Sequence, residues 1–498
     1  MLTSRLSENK KLTIAAVVGD RGWAHFWEVH FLPRWLPLLL GLGLGVFLAL
    51  LIVSDAWPFP IPVVLAVPVV ILFLRYPFAA VMIWLLVFPY FVQGSSVADR
   101  YAYWIIHRGM IPAVLGIVIL SDWLRVRKRE PVRWGPAELA MVIFVGLAVA
   151  NILLFARGLQ NPVYKFFDRL FVPFCMYWLV RLIAPGEKDL KRFLWVAFVT
   201  VVSQSTIGIL SWFAPQVLPV HWVHLQGARS VGSLFIPAAY TTTLMFLSLL
   251  LFQYAMNRKS RGLRLVVLFT VSLAFFCVFL SSSRGSWLGG LAVLIGLIFI
   301  YPRVAIRLTA VLVILAYILS NSVLAGQVDW AEERLTGESG TRSAEWRVTS
   351  SRASLAMIEA KPLWGWGYGN YDLYDHRFHT RVGNVAVSHD GTSHNAYLTI
   401  MAETGVITFL SYIFPLGWWL MSSIKTWRRL PKDGFWSWPL LAMLWLVVLD
   451  HVIVSNFMDM VRASPFGTTM WWMVLGLIGN MVDPYLKRGS IGTPSWIR

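Results

Sequence analysis

The chain has 498 residues, of which 57% are hydrophobic and only 14% are charged. Soluble proteins usually carry about 25% charged residues. The composition therefore excludes a soluble enzyme, a secreted domain and a disordered chain, and it predicts a membrane protein. The formal net charge of +18 is better explained by basic cytoplasmic loops than by a nucleic-acid partner. The two cysteines, Cys175 and Cys277, lie in apolar runs, so no disulfide framework is predicted.

Residues 1–34 are predicted to form a cytoplasmic leader, because they are basic but lack an apolar core followed by a cleavage site. After the leader come apolar segments of the length that crosses a bilayer. About fourteen transmembrane helices are predicted, at residues 35–53, 58–74, 77–93, 109–124, 137–155, 166–183, 193–213, 232–256, 264–282, 286–301, 304–323, 396–420, 436–456 and 467–484. Strands have no signal at membrane depth, where the backbone must satisfy its own hydrogen bonds. The predicted fold is an all-α polytopic membrane protein.

The loops between these segments alternate in charge. Basic residues cluster at 125–133, 188–192, 258–264, 303–307 and 425–432. Because cytoplasmic loops carry the excess of Lys and Arg, both termini are predicted to be cytoplasmic. The predicted organisation is an N-terminal transmembrane bundle at 35–213, a transmembrane core at 214–323, a large periplasmic loop at 324–395, and C-terminal helices with a cytoplasmic tail at 396–498.

Three polar motifs lie at the predicted periplasmic ends of helices. Arg229 is in Gly-Ala-Arg-Ser-Val-Gly, Arg284 in Ser-Ser-Ser-Arg-Gly-Ser, and His394 in Thr-Ser-His-Asn. Polar groups at membrane boundaries are costly and usually have a task. Guanidinium groups bind phosphate oxygens bidentately, and a histidine is a natural general base near neutral pH. The three motifs together suit attack by a hydroxyl group with a phosphate as the leaving group.

Each motif also has a structural interpretation. Either arginine could be a snorkelling membrane anchor, and Thr392 or Ser393 could cap the following helix. The Gly-Trp-Gly-Tyr-Gly run at 365–369 resembles a phosphate-binding loop only superficially, because no βαβ unit surrounds it. It could instead supply tight turns with an aromatic surface, or a platform on which a sugar stacks.

The acidic and histidine residues of the outer segments leave further alternatives open. Asp372, Asp375 or Glu403 could be the base or could orient His394. Zinc could bind paired histidines at helical spacing, namely His221 with His224 or His376 with His379, beside Asp372, Asp375, His389 and Asp390. Since no recognised zinc signature is present, no metal is predicted.

Four stretches of the sequence resemble the O-antigen ligase and polymerase superfamily. They are Ser-Ser-Arg-Gly at 282–285, Trp-Gly-Trp-Gly-Tyr-Gly at 364–369, Ser-His-Asn-Ala-Tyr-Leu at 393–398, and Glu403 with Gly405. The resemblance covers roughly residues 225–410. It implies a GT-C-type glycosyltransferase fold. Ligases of this family are generally drawn with twelve helices, so the predicted fourteen are a departure.

The same resemblance implies a metal-independent reaction without a cofactor at the periplasmic face of the bacterial inner membrane. The donor would be an undecaprenyl-diphosphate-linked glycan whose diphosphate is held by Arg229 and Arg284. His394 would activate a hydroxyl of the acceptor, which is either a glycan or the lipid A core. Further candidate substrate-binding residues are Asn395, Gly285, Ser283, Trp366, Tyr368 and Tyr397.

The predicted function is therefore an inverting membrane glycosyltransferase that acts as an O-antigen or exopolysaccharide polymerase or as an O-antigen ligase. Its expected partners are the lipid-linked donor, the acceptor, membrane lipids and other polysaccharide-assembly proteins. The alternative is a lipid-linked oligosaccharide flippase. A flippase should place its unusual residues near the membrane midplane in related halves, whereas here they gather at one face. A purely structural scaffold would not need two arginines and a histidine on one side.

Overall fold

A computed structural model describes residues 60–92, 96–124, 134–223, 229–320, 325–379 and 392–486. Over these residues the chain is helical and contains no β-strand. It divides into two compact units, residues 1–77 with 116–131, and residues 78–115 with 132–498. The predicted leader and the first predicted helix, at 35–53, lie outside the described residues. The candidate site lies entirely within the second unit.

The helices in the first half of the chain are α1 (Pro60–Arg75), α2 (Phe78–Val87), α3 (Val97–Trp123), α4 (Pro136–Phe155), α5 (Gln160–Phe166), α6 (Val172–Ile183), α7 (Glu187–Phe213) and α8 (Pro237–Met256). Those that follow are α9 (Arg261–Leu280), α10 (Arg284–Ile300), α11 (Pro302–Ser320), α12 (Ala325–Thr336), α13 (Glu338–Ala360), α14 (Tyr371–Tyr374), α15 (Ala396–Thr426), α16 (Trp438–Phe457), α17 (Met460–Ala463) and α18 (Pro465–Leu486).

Seven helices within the described residues are long and apolar enough to cross a membrane: α3, α4, α7, α8, α9, α15 and α16. Two shorter apolar helices are α10 and the segment Phe78–Tyr90 that contains α2. The chain is thus an all-helical protein of the polytopic membrane type, and the full number of fourteen spans stays a prediction. The central helix is α8, because 89% of its apolar 18-residue stretch is buried inside the protein. It packs against α7, α9, α10 and α16.

The helices around α8 bring five helix ends together. The N-terminal ends of α8, α10 and α15 contribute residues to one cavity, which the C-terminal end of α16 and the turn that links α9 to α10 also line. An apolar cluster of Ala238, Ala239, Val454 and Met460 packs where α8 meets the end of α16. The three polar motifs are far apart in sequence, and this packing collects them at one end of the bundle.

The predicted outer loop is built differently from the sequence-based expectation. Residues 325–360 form α12 and α13, which pack against each other, and α13 also packs against α15. An apolar-run criterion detects membrane helices but not these, because α13 is rich in Ser, Arg and Glu. The following helix begins at Ala396, as predicted, but its N-cap is Asn395 rather than Thr392 or Ser393.

Candidate functional site

A cavity of about 230 Å³ lies where the helix ends converge. It contains all three residues that the sequence singled out as catalytic, Arg229, Arg284 and His394, together with a further arginine, Arg347. No acidic residue is found in the described lining. The lining residues are Arg229, Phe235, Ile236, Pro237, Ala238, Ser283, Arg284, Gly285, Arg347, His394, Val454, Phe457 and Met458. Its polar lining residues therefore make it strongly positive, and most of its other lining residues are apolar.

Arg284 is the first residue of α10 and also holds the outer helix α13. Its Nη1 donates to the carbonyl oxygen of Gly340 at 3.2 Å, and its Nη2 donates to Ser343 Oγ at 3.2 Å. The preceding Ser283 is the N-cap of α10, but its side chain makes no capping hydrogen bond. The cavity thus lies against a helix N-terminus, whose positive end favours an anion.

Gly285 allows α16 to approach α10 closely. A Cβ atom added there would lie 2.8 Å from Phe457 Cβ, a separation that real Cβ atoms essentially never show. Phe457 also lines the cavity. Gly285 therefore shapes the cavity wall by its small size.

Arg229 is placed by the residue that follows it. The Ser230 backbone N–H donates to the carbonyl oxygen of Leu280 at 3.0 Å, and this bond joins the Arg229 segment to the end of α9. The second arginine, Arg284, begins the next helix. Two motifs that are 55 positions apart in sequence (284 − 229) are thereby brought to the same cavity.

His394 has a left-handed backbone with φ of 53°, which is uncommon for residues other than glycine. Its neighbours fix it there. Ser393 Oγ accepts the Asn395 N–H at 3.0 Å, and the Asn395 side-chain oxygen accepts the N–H groups of Tyr397 and Leu398 at 3.0 and 3.1 Å. Asn395 therefore caps α15 and holds the turn that presents His394 to the cavity.

Backbone strain is concentrated around this cavity. Four non-glycine residues in the described part of the chain have positive φ: Ala184, Phe235, Ser282 and His394. Phe235 and His394 line the cavity, and Ser282 directly precedes Ser283, which also lines it. Such residues persist only where the surroundings over-determine them, and they cluster at functional sites.

Arg347 is the cavity arginine that the sequence analysis missed. It lies on α13, in the segment that was expected to be a loop, and it also lines an adjoining cavity with Arg284 and Arg352. Nothing near Arg347 in sequence resembles the other motifs. A helical interpretation of 338–360 would have placed Arg347 on the same face as Ser343, which Arg284 contacts.

The glycine-rich run 365–369 contacts the backbone of α15 instead of forming a phosphate loop. The Trp366 and Gly367 N–H groups donate to the carbonyl oxygens of Ala402 and Glu403 at 3.0 and 2.9 Å. Gly365, Gly367 and Gly369 all have positive φ, as does Gly405 at the kink inside α15. The tight-turn interpretation fits this geometry, because the turns let the run lie directly on the helix.

The kink at Gly405 is where the two backbones come closest. A Cβ atom at Gly405 would lie 2.0 Å from the carbonyl oxygen of Leu363, and one at Gly365 would lie 2.4 Å from the carbonyl oxygen of Glu403. The Val406 N–H, freed by the kink, donates to the Pro362 carbonyl oxygen at 2.8 Å. The glycine run and the kink are therefore two halves of one joint, which we call the glycine joint.

The aromatic candidates for substrate binding are absent from the described cavity lining, and Trp366 and Tyr368 belong to the glycine joint. Trp366 Nε1 donates to the Met357 carbonyl oxygen at 2.9 Å. Tyr368 is 2% exposed, and its hydroxyl donates to the Lys165 carbonyl oxygen at 3.4 Å. Tyr397 lies on the first turn of α15 with a buried hydroxyl. Their roles in substrate binding stay predictions.

The three carboxylates proposed as bases are engaged elsewhere. Glu403 is 3% exposed and accepts the Tyr371 N–H at 3.1 Å. Asp372 pairs with Arg462 and, at 3.7 Å, with Lys165 Nζ. Burial lowers the pKa of Lys165. Burial would also lower the pKa of Arg462, but the carboxylates of Glu403, Asp459 and Asp372 raise it overall.

The proposed zinc ligands do not assemble into a site within the described residues. His379 Nε2 lies 3.5 Å from Asp375 Oδ2, and its ring stacks on Trp346. Over the residues that the structure describes, no group of three or more His, Cys, Asp or Glu side chains could hold a metal. His224, His389 and Asp390 lie outside the described residues.

One region of the chain matches a known protein family. The helices define an integral membrane protein with a positively charged cavity at one end of the bundle. Residues 269–413 match the O-antigen ligase family, and this domain confirms the predicted resemblance to the O-antigen ligase and polymerase superfamily. Arg284, Arg347 and His394 fall inside the matched region, whereas Arg229 precedes it. No curated protein matches the chain significantly.

Proposed function

We propose that the cavity is the active site of a glycosyltransferase that moves a glycan from a lipid diphosphate to a hydroxyl group of an acceptor sugar. The observation that carries the proposal is the joint presence of Arg229, Arg284, Arg347 and His394 in one cavity whose described lining contains no acid. The family match supports the same reaction class. The undecaprenyl carrier is the one that the resemblance implies.

The arginines suit the leaving group of this reaction. A diphosphate carries several negative charges, and planar guanidinium groups bind its oxygens with charge-assisted hydrogen bonds. Charge grows on the bridging oxygen as the sugar departs, so donors that are already fixed there lower the barrier. Arg284 meets this requirement, because its contacts with Gly340 and Ser343 hold its guanidinium in place.

His394 is proposed as the general base. An acceptor hydroxyl attacks the anomeric carbon from the face opposite the diphosphate, and the imidazole takes the hydroxyl proton. The new carbon–oxygen bond forms as the bond to the diphosphate breaks, and that electron pair leaves with the diphosphate. The anomeric configuration is inverted. Because three guanidinium groups supply the countercharge, the reaction is proposed to need neither a metal nor another cofactor.

Fourteen spans, both termini in the cytoplasm and a GT-C-type architecture complete the proposal. This topology places the cavity at the periplasmic face of the bacterial inner membrane. The positive-inside distribution of basic loops supports it. The acceptor would be a second lipid-linked glycan in a polymerase or the lipid A core in a ligase, and other polysaccharide-assembly proteins would be partners.

One reconstitution tests the proposal. Purified protein in lipid nanodiscs is incubated with an undecaprenyl-diphosphate-linked glycan, with and without lipid A core, and the products are resolved by size. A ladder of products identifies a polymerase, and a single shifted lipid A core identifies a ligase. If intact protein forms no new linkage with either acceptor, yet moves the donor between leaflets in proteoliposomes, the glycosyltransferase proposal is refuted in favour of a flippase.

A further inference from the structure

A second basic cavity lies at the N-terminal end of α9, the helix whose other end adjoins the candidate site. It has a volume of about 440 Å³ and lies between α9 and α11. Its lining residues are Arg261, Arg264, Leu265, Leu268, Ser272, Val304, Arg307, Leu308 and Val311. α9 begins at Arg261 and ends at Leu280, beside the candidate site. At 1.5 Å per residue, about 30 Å separates its two ends, which is the thickness of a bilayer core.

The charged and apolar residues that line the cavity on α9 are separated along the helix axis. On α9, Arg261 and Arg264 come first, followed at helical spacing by Leu265, Leu268 and Ser272. These five positions lie on one face of the helix and span about 16 Å along its axis. The charged residues therefore lie at the end of α9 and the apolar ones in its interior. A single amphipathic molecule aligned with the helix would meet both.

The second wall also combines an arginine with apolar residues, although here an apolar residue, Val304, precedes the arginine. On α11, Arg307 follows the first turn, and Val304, Leu308 and Val311 complete the face. Both walls begin at the N-terminal ends of long helices, whose positive ends favour an anion. No acidic residue occurs in the described lining, and among the described residues Arg261, Arg264 and Arg307 form no ion pair with a carboxylate.

Arg258 lies at the same end of the bundle as the cavity arginines, but its guanidinium has a close hydrogen-bond partner. Its guanidinium donates to the Tyr254 hydroxyl at 2.6 Å and lies 4.5 Å from the centre of that ring. Arg264, by comparison, has only a weak donor contact, at 3.5 Å, with Met256 Sδ. The arginines of the cavity thus keep most of their donors available for a ligand.

We propose that this cavity binds one anionic phospholipid, with the phosphate between the three arginines and an acyl chain along the apolar walls. Charge complementarity selects an anionic lipid over a zwitterionic one. Basic pockets between transmembrane helices bind acidic lipid headgroups in this manner. The site is distinct from the candidate active site and does not depend on the proposed reaction.

The test measures lipid retention by the full-length protein. Detergent-purified protein is titrated with phosphatidylglycerol or phosphatidylethanolamine, and bound lipid is counted by native mass spectrometry. The wild-type protein should retain one phosphatidylglycerol in preference to phosphatidylethanolamine. Each basic residue near a membrane surface contributes about fivefold in affinity, so the triple variant Arg261→Gln, Arg264→Gln, Arg307→Gln should bind phosphatidylglycerol roughly 100-fold more weakly.

A matched triple variant controls for charge alone. Arg258→Gln, Lys259→Gln, Arg303→Gln removes the same charge from the same end of the bundle, but none of these residues lines the cavity. It should retain phosphatidylglycerol within about threefold of wild type. An equal loss of phosphatidylglycerol in both triple variants, or no loss in the first, would overturn the proposal. One of these results is expected if the arginines only orient the chain in the membrane.

A second variant tests the apolar wall without changing charge. Among the described residues, the Ser272 hydroxyl donates to its own helix, to Leu268 O at 2.9 Å. Ser272→Trp should therefore fill the acyl groove while leaving the arginines in place. It should lose lipid retention as the arginine triple does, and full retention would overturn the proposed acyl position. Tighter binding of a polyprenyl phosphate than of phosphatidylglycerol would overturn the choice of ligand.

Discussion

Arg347→Gln is the most informative single change, because the sequence alone did not point to this residue. The structure places Arg347 in the cavity with Arg229, Arg284 and His394. A hydrogen bond to a charged group contributes about 1.5–3 kcal/mol. If Arg347 stabilises the departing diphosphate, its loss should lower kcat roughly 10- to 150-fold. The kcat of Arg347→Lys should lie between those of the wild type and Arg347→Gln, because an ammonium keeps the charge but cannot bind phosphate bidentately.

The control for this change lies on the same helix. Arg342 is exposed and pairs with Glu338 at 2.8 Å, an arrangement worth only about 0.3–0.5 kcal/mol. Arg342→Gln should therefore turn over at the wild-type rate. The assay is single-turnover glycan transfer by purified protein in nanodiscs, with thermal unfolding measured in parallel. Equal rates for Arg347→Gln and Arg342→Gln, alongside an inactive Arg284→Gln, would refute the role of Arg347.

The remaining predictions concern the base, the countercharge and the glycine joint. His394→Ala should lower the transfer rate about 10²- to 10⁴-fold without changing thermal unfolding; near-wild-type turnover would remove the base assignment. EDTA should leave the rate of transfer unchanged, and a loss restored by Mg²⁺ would contradict the proposed arginine countercharge. Gly405→Ala should destabilise the protein by about 1–3 kcal/mol through backbone strain alone, seen as a lower midpoint of thermal unfolding. Gly417 is on the same helix with open space around it, so Gly417→Ala should not lower the midpoint. Equal midpoints for the two variants would count against the glycine joint.

The sequence by itself determined the membrane class, because only a lipid-facing protein can carry so few charges and so many apolar runs. It also located most helices of the described chain. Predicted segments such as 137–155 and 436–456 lie within one or two residues of α4 and α16. Arg284 and His394 could be singled out because a polar residue at the end of an apolar run is costly and therefore conspicuous.

Only the tertiary structure decided what the outer segment does. Arg347 lies on a polar helix, where an arginine costs nothing and gives no signal in sequence. Its place in the cavity depends on how α13 packs against α15 and on the hydrogen bonds from Arg284 to Gly340 and Ser343. The same holds for Glu403, whose carbonyl oxygen accepts the Gly367 N–H, and for Tyr368, which contacts Asn151 and Lys165. These contacts join distant parts of the chain. Hydropathy predicts which segments lie in lipid and which lie in water. The convergence of five helix ends depends instead on contacts among all of those helices.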